Sequence, residues 1–526
     1  MKSKRYRLTR VFIYVFLFIS VVCPLVALLL NINPSDISTI VSEPNFGSMV
    51  FNSVFASSVA TIISVLIALS LAWAINRSNI KHKSVFTLLF TLPMLIPSIS
   101  HGMGLVILFG DNGIITNFLG LNINLYGFTG IIIGSVLYSF PVAFLMLSDI
   151  FRYEDYTVYE ASQVLGLTKW QQFKSITLPN LRKPLISVVF AVFTMVFTDY
   201  GVPLVVGGRL MTLPVYMYRE VIGLLNFSKG AIIGVLLLIP AVIAFIIDLK
   251  DDSTSTSSTV TRAYEIKENK KRDRISLIYC LIIMGLIALP IIAFIVLSLV
   301  SKYPIDMSLS FANIARSFDL GVGHYLLNSL TIALVTALVG TFVSYITAYI
   351  TARSKKNFST LCLHLISILS LAIPGVVLGL SYVLFFKGSI IYGSIIILIM
   401  VNLIHFLASP YLLAYNSLSS FNSNLEDVAV SVGISKWRLM IDVFMPCTLS
   451  TMVEMYSYIF VNSMITISAV SFLANFKNMP LALMIPQFEA QSMIEATAFI
   501  SIIILVFNLI TKFIVYLVKR YLIKEV

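Results

Sequence analysis

Apolar segments of about 20 residues, separated by short polar loops, recur along the whole 526-residue chain. A helix of that length crosses a bilayer core of about 30 Å and satisfies its own backbone hydrogen bonds there. Only 11% of the residues are charged, against about 25% in soluble proteins, so the bilayer must be the solvent. We predict an all-α integral membrane protein with about twelve spans, six in each half. Their centres are Ile19, Ile63, Leu95, Val136, Phe193, Leu238, Leu286, Leu338, Leu371, Met400, Phe460 and Ile504.

The two halves repeat one another. The second and eighth spans open and close on the same dipeptides at the same separation, and the third and ninth share a proline and a glycine. These pairs are Asn52-Ser53 with Asn328-Ser329, Arg77-Ser78 with Arg353-Ser354, Pro97 with Pro374, and Gly102 with Gly379. Six spans per half make the repeat parallel, which predicts a pathway on a pseudo-two-fold axis along the membrane normal. We expect domains at 1–249 and 275–526, joined by a flexible cytoplasmic linker at 250–274 with a Ser/Thr run at 253–259.

Lysine and arginine in the loops predict the orientation. With the N-terminus inside, about 29 of the 36 basic residues fall on the cytoplasmic side, and the outer loops 31–48 and 111–130 have none. Both termini and the linker are therefore expected in the cytoplasm. The basic segment 1–10 before the first span is read as part of an uncleaved anchor, because no signal-peptide cleavage site follows it.

One polar segment occurs twice with identical spacing. The first copy contains Glu160-Ala161-Ser162, Gly166, Trp170 and Pro179, and the second contains Asp427-Val428-Ala429, Gly433, Trp437 and Pro446. Apolar positions at helical spacing predict a short helix, a glycine turn, and a second short helix that is capped by Thr168 or Ser435 and ended by the proline. Ordinary interfacial helices would explain one copy. Two matched copies favour a cytoplasmic docking element, because lipid contact alone would not fix the acid or the spacing.

The first copy resembles the EAA loop of permeases in binding-protein-dependent ABC importers, where that loop inserts into a cleft of the ATP-binding subunit. The resemblance covers nearly the whole chain and is closest to fused type I permeases for ferric iron, thiamine and 2-aminoethylphosphonate, which have two tandem six-helix repeats. In the second copy Asp427 replaces the usual glutamate and Met445 replaces the leucine before the proline. The coupling residues implied by the resemblance are Glu160, Ala161, Gly166, Leu178, Pro179, Asp427, Ala429, Gly433 and Pro446.

The resemblance also implies partners and a solute. It implies an ATP-binding subunit in two copies, an extracytoplasmic solute-binding protein, and a place in the bacterial cytoplasmic membrane. The strings 197–203 and 464–470 are similar to the 2-aminoethylphosphonate branch, which makes that compound or a related phosphonate the first candidate solute, with ferric iron and thiamine also open. The pathway residues suggested on this basis are Asp199, Tyr200, Asn462, Ser463 and Thr466. Asp199 could pair with a substrate ammonium, or it could be an interfacial or internally paired carboxylate.

The sequence shows no catalytic chemistry. A phosphate-binding Gly-x-x-x-x-Gly-Lys-Ser/Thr loop is absent, so we expect a transport subunit, with ATP hydrolysed elsewhere and no cofactor. The four cysteines and five histidines lack ligand spacing, and the basic residues cluster in loops, which argues against a metal site and against nucleic acid. The alternatives are a twelve-span secondary transporter driven by an ion gradient, and an intramembrane enzyme. Both need buried titratable groups, and few acids beyond Asp199, Glu454 and Glu495 lie in the spans.

Overall fold

The computed structural model describes residues 4–120, 123–251, 262, 264–355 and 357–521. Helices dominate these ranges, and the predicted all-α membrane class is confirmed. The strands in the described ranges are Val300–Lys302 and Asp306–Leu309, which pair antiparallel with Val300 opposite Leu309. The predicted Ser/Thr run at 253–259 lies outside the described residues.

Eight helices in the described ranges are long and apolar enough to cross a membrane. They are Tyr6–Leu30, Phe46–Asn76, Ser98–Leu119, Phe128–Arg152, Lys169–Phe197, Lys270–Ser298, Val322–Ala352 and Ile494–Tyr521. Two further pairs meet the same test as bent spans and raise the number to ten. These pairs are Phe358–Ala372 with Gly375–Phe386, bent by 114°, and Ile395–His405 with Ala408–Ser419, bent by 51°.

The count of about twelve spans needs a qualification at two of the predicted centres. Leu95 lies at the end of the shorter apolar helix Lys83–Leu95, and Phe460 lies in the 17-residue helix Leu449–Ile465. Both helices are real but fall short of the length of a full span. The second of them is short because the chain leaves helical geometry at Thr448, where φ is −111° and ψ is 17°.

Contacts between Cα atoms divide the chain into two compact units. One unit comprises Pro44–Tyr216 and Ile239–Leu309. Its helices are Phe46–Asn76, Lys83–Thr91, Leu92–Leu95, Ser98–Phe109, Ile114–Leu119, Phe128–Arg152, Tyr156–Val164, Lys169–Gln172, Phe173–Thr177, Leu178–Phe197, Gly201–Val206 and Lys270–Ser298. The centre of this unit is the packing of Phe46–Asn76 against Phe128–Arg152. There the Ser64 and Ser139 hydroxyls hydrogen-bond at 2.8 Å, since small polar residues let helices approach closely.

The other unit comprises Met1–Glu43, Met217–Leu238 and Ser310–Val526. Its helices before residue 400 are Lys4–Leu17, Phe18–Val22, Cys23–Leu30, Pro34–Val41, Arg219–Gly223, Ala312–Asp319, Val322–Ala352, Phe358–Leu369, Ser370–Ala372, Gly375–Phe386 and Ile395–His405. The remainder are Ala408–Ser419, Asn424–Ser431, Lys436–Leu439, Met440–Phe444, Met445–Cys447, Leu449–Ile465, Leu481–Leu483, Met484–Ala490 and Ile494–Tyr521. Two helices, Leu213–Tyr218 and Phe227–Asp251, continue from one unit into the other along the chain.

The repeated Asn-Ser dipeptide makes the same contacts in each unit. In one, the Ser53 hydroxyl accepts from the Leu213 N–H at 2.8 Å, and the Asn52 amide donates to the Met211 carbonyl at 3.1 Å. In the other, the Ser329 hydroxyl accepts from Leu481 N–H at 2.7 Å, and the Asn328 amide donates to the Met479 carbonyl at 3.2 Å. Each dipeptide therefore satisfies backbone groups at or just before the start of a helix, which would otherwise be unpaired in an apolar interior.

Candidate functional site

The duplicated polar segments form two loops with the same turn. We call residues 155–179 the first loop and residues 423–446 the second loop. In the first loop, helix Tyr156–Val164 ends at Gly166, whose φ is +73°. The Gly166 N–H donates to the Gln163 carbonyl at 3.0 Å, and the Leu167 N–H donates to the Ser162 carbonyl at 3.0 Å. This is the Schellman arrangement, in which glycine adopts the left-handed conformation at low cost.

The second loop repeats the turn bond for bond. Helix Asn424–Ser431 ends at Gly433, whose φ is +77°. The Gly433 N–H donates to the Val430 carbonyl at 3.2 Å, and the Ile434 N–H donates to the Ala429 carbonyl at 2.7 Å. A helix–glycine–helix turn was expected at both places, and both turns have this form.

The second helix of each loop is capped by the expected residue. Thr168 accepts from the Gln171 N–H, and the Gln171 side chain accepts in return from the Thr168 N–H at 2.8 Å, which completes a capping box. In the second loop, Ser435 accepts from the Arg438 N–H at 3.3 Å. The caps fix the direction in which each helix leaves its glycine turn.

Pro179 does not end the second helix of the first loop, and that expectation was wrong. The chain stays helical from Lys169 to Phe197 through a π-helical turn at Phe173–Thr177, and Pro179 lies in the first turn of the next segment. Pro446 also follows a π-helical turn, Met440–Phe444, but its helix ends one residue later at Cys447. A π-helical turn replaces i→i−4 hydrogen bonds with i→i−5 bonds just before the proline. The proline has no backbone N–H to donate, and its place in the first turn of the next segment tolerates this, as at a helix start. The first loop is therefore continuous with a membrane helix.

The tips of both loops expose apolar side chains. Leu165 next to the first glycine is 79% exposed, and Val432 at the matching position of the second loop is 69% exposed. The other exposed apolar side chains on these tips are Val158, Val164, Trp170, Val428, Val430 and Ile434. A cluster of exposed apolar side chains on a rigid turn is typical of a surface that binds another protein.

A buried arginine lies at the base of the first loop. Arg77, at the C-terminal end of helix Phe46–Asn76, forms an ion pair with Glu154, and the two side chains are 4% and 8% exposed. Glu154 also accepts from the Tyr159 hydroxyl at 2.5 Å, which ties the pair to the loop. Burial, together with the bond to Glu154, raises the pKa of Tyr159 above its ordinary value, so the phenol stays protonated and donates.

The second loop has the same anchor with a different acid. Arg353, at the end of helix Val322–Ala352, makes a two-pronged ion pair with Glu426 at 2.5 and 2.6 Å. The same guanidinium donates to the Phe421 and Asn422 carbonyls, both at 2.8 Å. Sequence reasoning noted the two arginines as repeat markers but missed their role. Their matched place at the end of a span, just inside a polar loop, was the available signal.

The predicted coupling residues fall into two groups. The acids and glycines lie on the exposed first helix and turn, with Glu160 paired to Arg262 at 2.5 Å and Asp427 exposed. Ala161 is exposed, whereas Ala429 is buried. Leu178, Pro179 and Pro446 are exposed on the second helix, away from the glycine turn in sequence.

The predicted pathway residues occur in both units. Asp199 is buried, and its carboxylate accepts from the Ser98 hydroxyl and from the Gly201 and Val202 N–H groups, at 3.3 and 3.0 Å for the two amides. It therefore caps helix Gly201–Val206, and it also lines a small cavity with Ser53 and Thr212.

The remaining pathway candidates are mostly buried. Tyr200 is fully buried. Asn462 donates to the Tyr458 carbonyl at 2.8 Å, and Thr466 ends its helix with an N–H bond to the Asn462 carbonyl at 3.0 Å. The buried Ser463 hydroxyl has no hydrogen-bond partner among the described residues. Within the described ranges, no three His, Cys, Asp or Glu side chains are grouped so that they could hold a metal ion.

A family model for the "Binding-protein-dependent transport system inner membrane component" matches the chain twice, at residues 64–249 and 340–524. The chain belongs to this family. Two tandem matches make it a fused permease, and both loops fall inside the matched regions. It is a multi-pass inner-membrane transport subunit, and its family implies an ATP-hydrolysing partner and a solute-binding protein.

Curated relatives of this permease extend over most of the chain. It is 26% identical to "Putative ferric transport system permease protein FbpB 1" of Haemophilus influenzae, over 84% of this chain and 72% of the relative. It is also 26% identical to "Ferric transport system permease protein FbpB" of Actinobacillus pleuropneumoniae, over 88% of this chain and 70% of the relative. "Molybdenum transport system permease protein ModB" of Azotobacter vinelandii is 26% identical over 29% of this chain and 70% of its own length.

Proposed function

We propose that this permease forms the membrane path of an ATP-driven importer and that one ATP-binding subunit docks on each of its two loops. The observation that carries the proposal is the duplicated exposed turn. Each loop presents an apolar tip beside a left-handed glycine, and each is tied to a long membrane helix by a buried arginine. Because helices move as units, closure of the partner on ATP would reorient the helices that follow the loops, by alternating access.

The solute is proposed to be small and polar or anionic, with ferric iron as the first candidate. The relatives from Haemophilus influenzae and Actinobacillus pleuropneumoniae each cover more than four-fifths of this chain and are described as ferric transport permeases. A phosphonate such as 2-aminoethylphosphonate is the second candidate, and it rests on the string 197–203 around Asp199. The capping bonds of the Asp199 carboxylate leave it less free to pair with an ammonium group. Thermal-shift measurements on the partner solute-binding protein with ferric iron, 2-aminoethylphosphonate and thiamine would separate these candidates.

Reconstitution separates the importer from a carrier driven by an ion gradient. Proteoliposomes would contain the permease alone, or the permease with its ATP-binding subunit and a solute-binding protein. The proposal predicts uptake only in the complete system. It also predicts that ATP drives uptake only when it is supplied on the side of the membrane that the two loops face. Uptake by the permease alone under a proton gradient would instead favour the secondary transporter.

Cysteine labelling in inverted membrane vesicles and in intact cells tests the proposed orientation. We propose that both termini and both loops face the cytoplasm. A cysteine placed at the exposed loop position Leu165, in a chain whose four native cysteines are replaced, should react with a membrane-impermeant maleimide only in inverted vesicles. Labelling of that position in right-side-out cells would reverse the assignment.

A further inference from the structure

The end of the linker packs onto the first loop. We call Arg262 together with residues 264–269 the strap. The Tyr156 N–H donates to the Arg262 carbonyl at 3.0 Å, and the Arg262 N–H donates to the Asp155 carboxylate at 3.3 Å. Asp155 is also the residue that caps the first helix of the loop. The strap backbone is therefore bonded to the start of the loop helix.

Tyr264 anchors the strap. Its ring meets the rings of Tyr156 and Tyr159 edge-on, with centroids 5.2 and 5.1 Å apart. The guanidinium carbon of Arg77 lies 3.4 Å from the centre of the Tyr264 ring. Edge-on aromatic pairs and a cation over a ring face are favourable contacts, and here they join the strap to the buried ion pair at the base of the loop.

The strap places charges beside the acid of the loop. The Arg262 guanidinium donates to Glu160 at 2.5 Å and to Glu265 at 3.1 Å, and the Lys267 ammonium donates to the Gln163 side chain at 3.1 Å. Arg262 and Glu160 are 52% and 41% exposed, so both remain accessible to another protein. The strap leaves the apolar tip around Leu165 uncovered.

The second loop presents its acid differently. Asp427 is exposed and forms no ion pair with any residue in the described part of the chain. The helix Lys4–Leu17 approaches this loop near the second helix of the loop, where the Lys436 ammonium lies 5.7 Å from the centre of the Tyr6 ring. The two loops thus share a backbone but differ in the charge around the acid.

We propose that the strap is part of the first docking surface and that the ATP-binding subunit contacts Arg262, Glu265 and Lys267 when it binds the first loop. This inference rests on the proposed function. A partner that displaced the strap would have to unpack Tyr264 and break both backbone bonds of Arg262, whereas a partner seated on the exposed tip can leave these contacts intact. Because Arg262 of the strap is paired with Glu160, the acid that the resemblance assigns to coupling, a subunit that binds this acid also meets the strap. The two loops therefore present chemically different surfaces to their partners.

Photo-crosslinking in the full complex tests the contact directly. A photoreactive amino acid is placed at Leu165 on the tip, at Glu265 on the strap, or at Leu309, which is exposed in the small sheet far from the loop in sequence. We expect both Leu165 and Glu265 to crosslink to the ATP-binding subunit and Leu309 not to. Crosslinking at Leu165 without crosslinking at Glu265 overturns the strap proposal alone, and failure at both positions overturns the proposed function.

Neutralising Arg262 tests the charge. The measurement is the affinity of the ATP-binding subunit for the permease carrying Gly433→Asp, so that only the first loop docks. Arg262→Gln should weaken this binding by about threefold to fivefold, in keeping with one exposed ion pair, and Arg262→Lys should restore most of it. Lys271→Gln is the matched control, because Lys271 is exposed just beyond the strap. Unchanged or tighter binding of Arg262→Gln contradicts the proposal, and tighter binding would identify the strap as a competitor.

Discussion

Arg77 and Arg353 are charged residues that the fold keeps inside. Each lies at the end of a 31-residue helix, and the side chain of each is less than a tenth exposed while paired to a glutamate. A buried ion pair adds little net stability, but removing one partner leaves the other charge buried and unpaired, which is strongly destabilising. The arginines therefore fix where each loop leaves its helix.

We predict that Arg77→Gln lowers the free energy of unfolding by about 3–5 kcal/mol, because Glu154 is left buried without its partner. Arg77→Gln combined with Glu154→Gln should recover at least half of the loss. Thermal unfolding of the purified protein in detergent measures both. Arg262→Gln is the control, since its exposed pair with Glu160 should change stability by less than about 1 kcal/mol. Equal destabilisation by Arg77→Gln and Arg262→Gln would refute the anchoring role.

The glutamate partners show what a repeat in the sequence can and cannot reveal. The arginines occupy equivalent positions in the two halves, so the repeat marks them. Glu154 lies before the helix of the first loop, whereas Glu426 lies inside the helix of the second. Because the acids are not equivalent by sequence, only the folded contacts identify them as partners.

At the scale of elements, each loop is a turn locked by hydrogen bonds at both sides of its glycine. The Schellman bonds close the first helix, and a side-chain cap opens the second. Such a turn transmits displacement because neither helix can swing about the glycine without breaking a bond.

Thr168→Ala should loosen this turn by removing the cap, at a cost of about 1 kcal/mol to the local helix. Faster hydrogen exchange is expected for the amides of Lys169–Gln172, together with weaker coupling of ATP hydrolysis to uptake. Thr168→Ser keeps the hydroxyl and should behave as the native protein. Exchange rates that do not change in Thr168→Ala would show that the cap does not hold the turn.

Gly166→Ala isolates the conformational requirement of the turn. A Cβ at Gly166 meets no atom within 4 Å, so the expected cost of about 1 kcal/mol comes from the left-handed backbone alone. Gly120→Ala is the matched control, since Gly120 has φ +61° and equally open space but lies outside both loops. Weaker binding of the ATP-binding subunit is expected for Gly166→Ala and not for Gly120→Ala. The same binding for both variants would mean that the turn geometry is not recognised.

The helix–glycine–helix pattern was predictable at this scale because glycine, cap and apolar spacing are local signals. The continuation of the helix past Pro179 was not predictable. A proline is a reliable helix stop only while the hydrogen-bond pattern before it stays α-helical. The π-helical turns at Phe173–Thr177 and Met440–Phe444 change that pattern, and the residue types at these positions do not predict a π-helical turn.

At the scale of the whole molecule, hydropathy predicted the class and the repeat, and both are confirmed by the helices and the tandem family matches. Hydropathy did not predict which spans are broken. A window of apolar residues has the same mean hydropathy whether its helix is straight or bent, as at the 114° bend before Gly375. The linker was read as flexible from its composition. That flexibility stays a prediction, while the described end of the linker contacts the first loop through Tyr264, whose aromatic partners are distant in sequence.

The central claim is that the two loops carry the motion of the ATP-binding subunits to the membrane helices. The most direct measurement is ATP-driven solute uptake by proteoliposomes that contain the complete system with Gly166→Asp and Gly433→Asp together. We predict that uptake falls to background while thermal unfolding shows that the variant remains folded, and that Gly120→Asp leaves uptake intact. Native uptake by the double variant, at an undiminished ATPase rate, would contradict the claim.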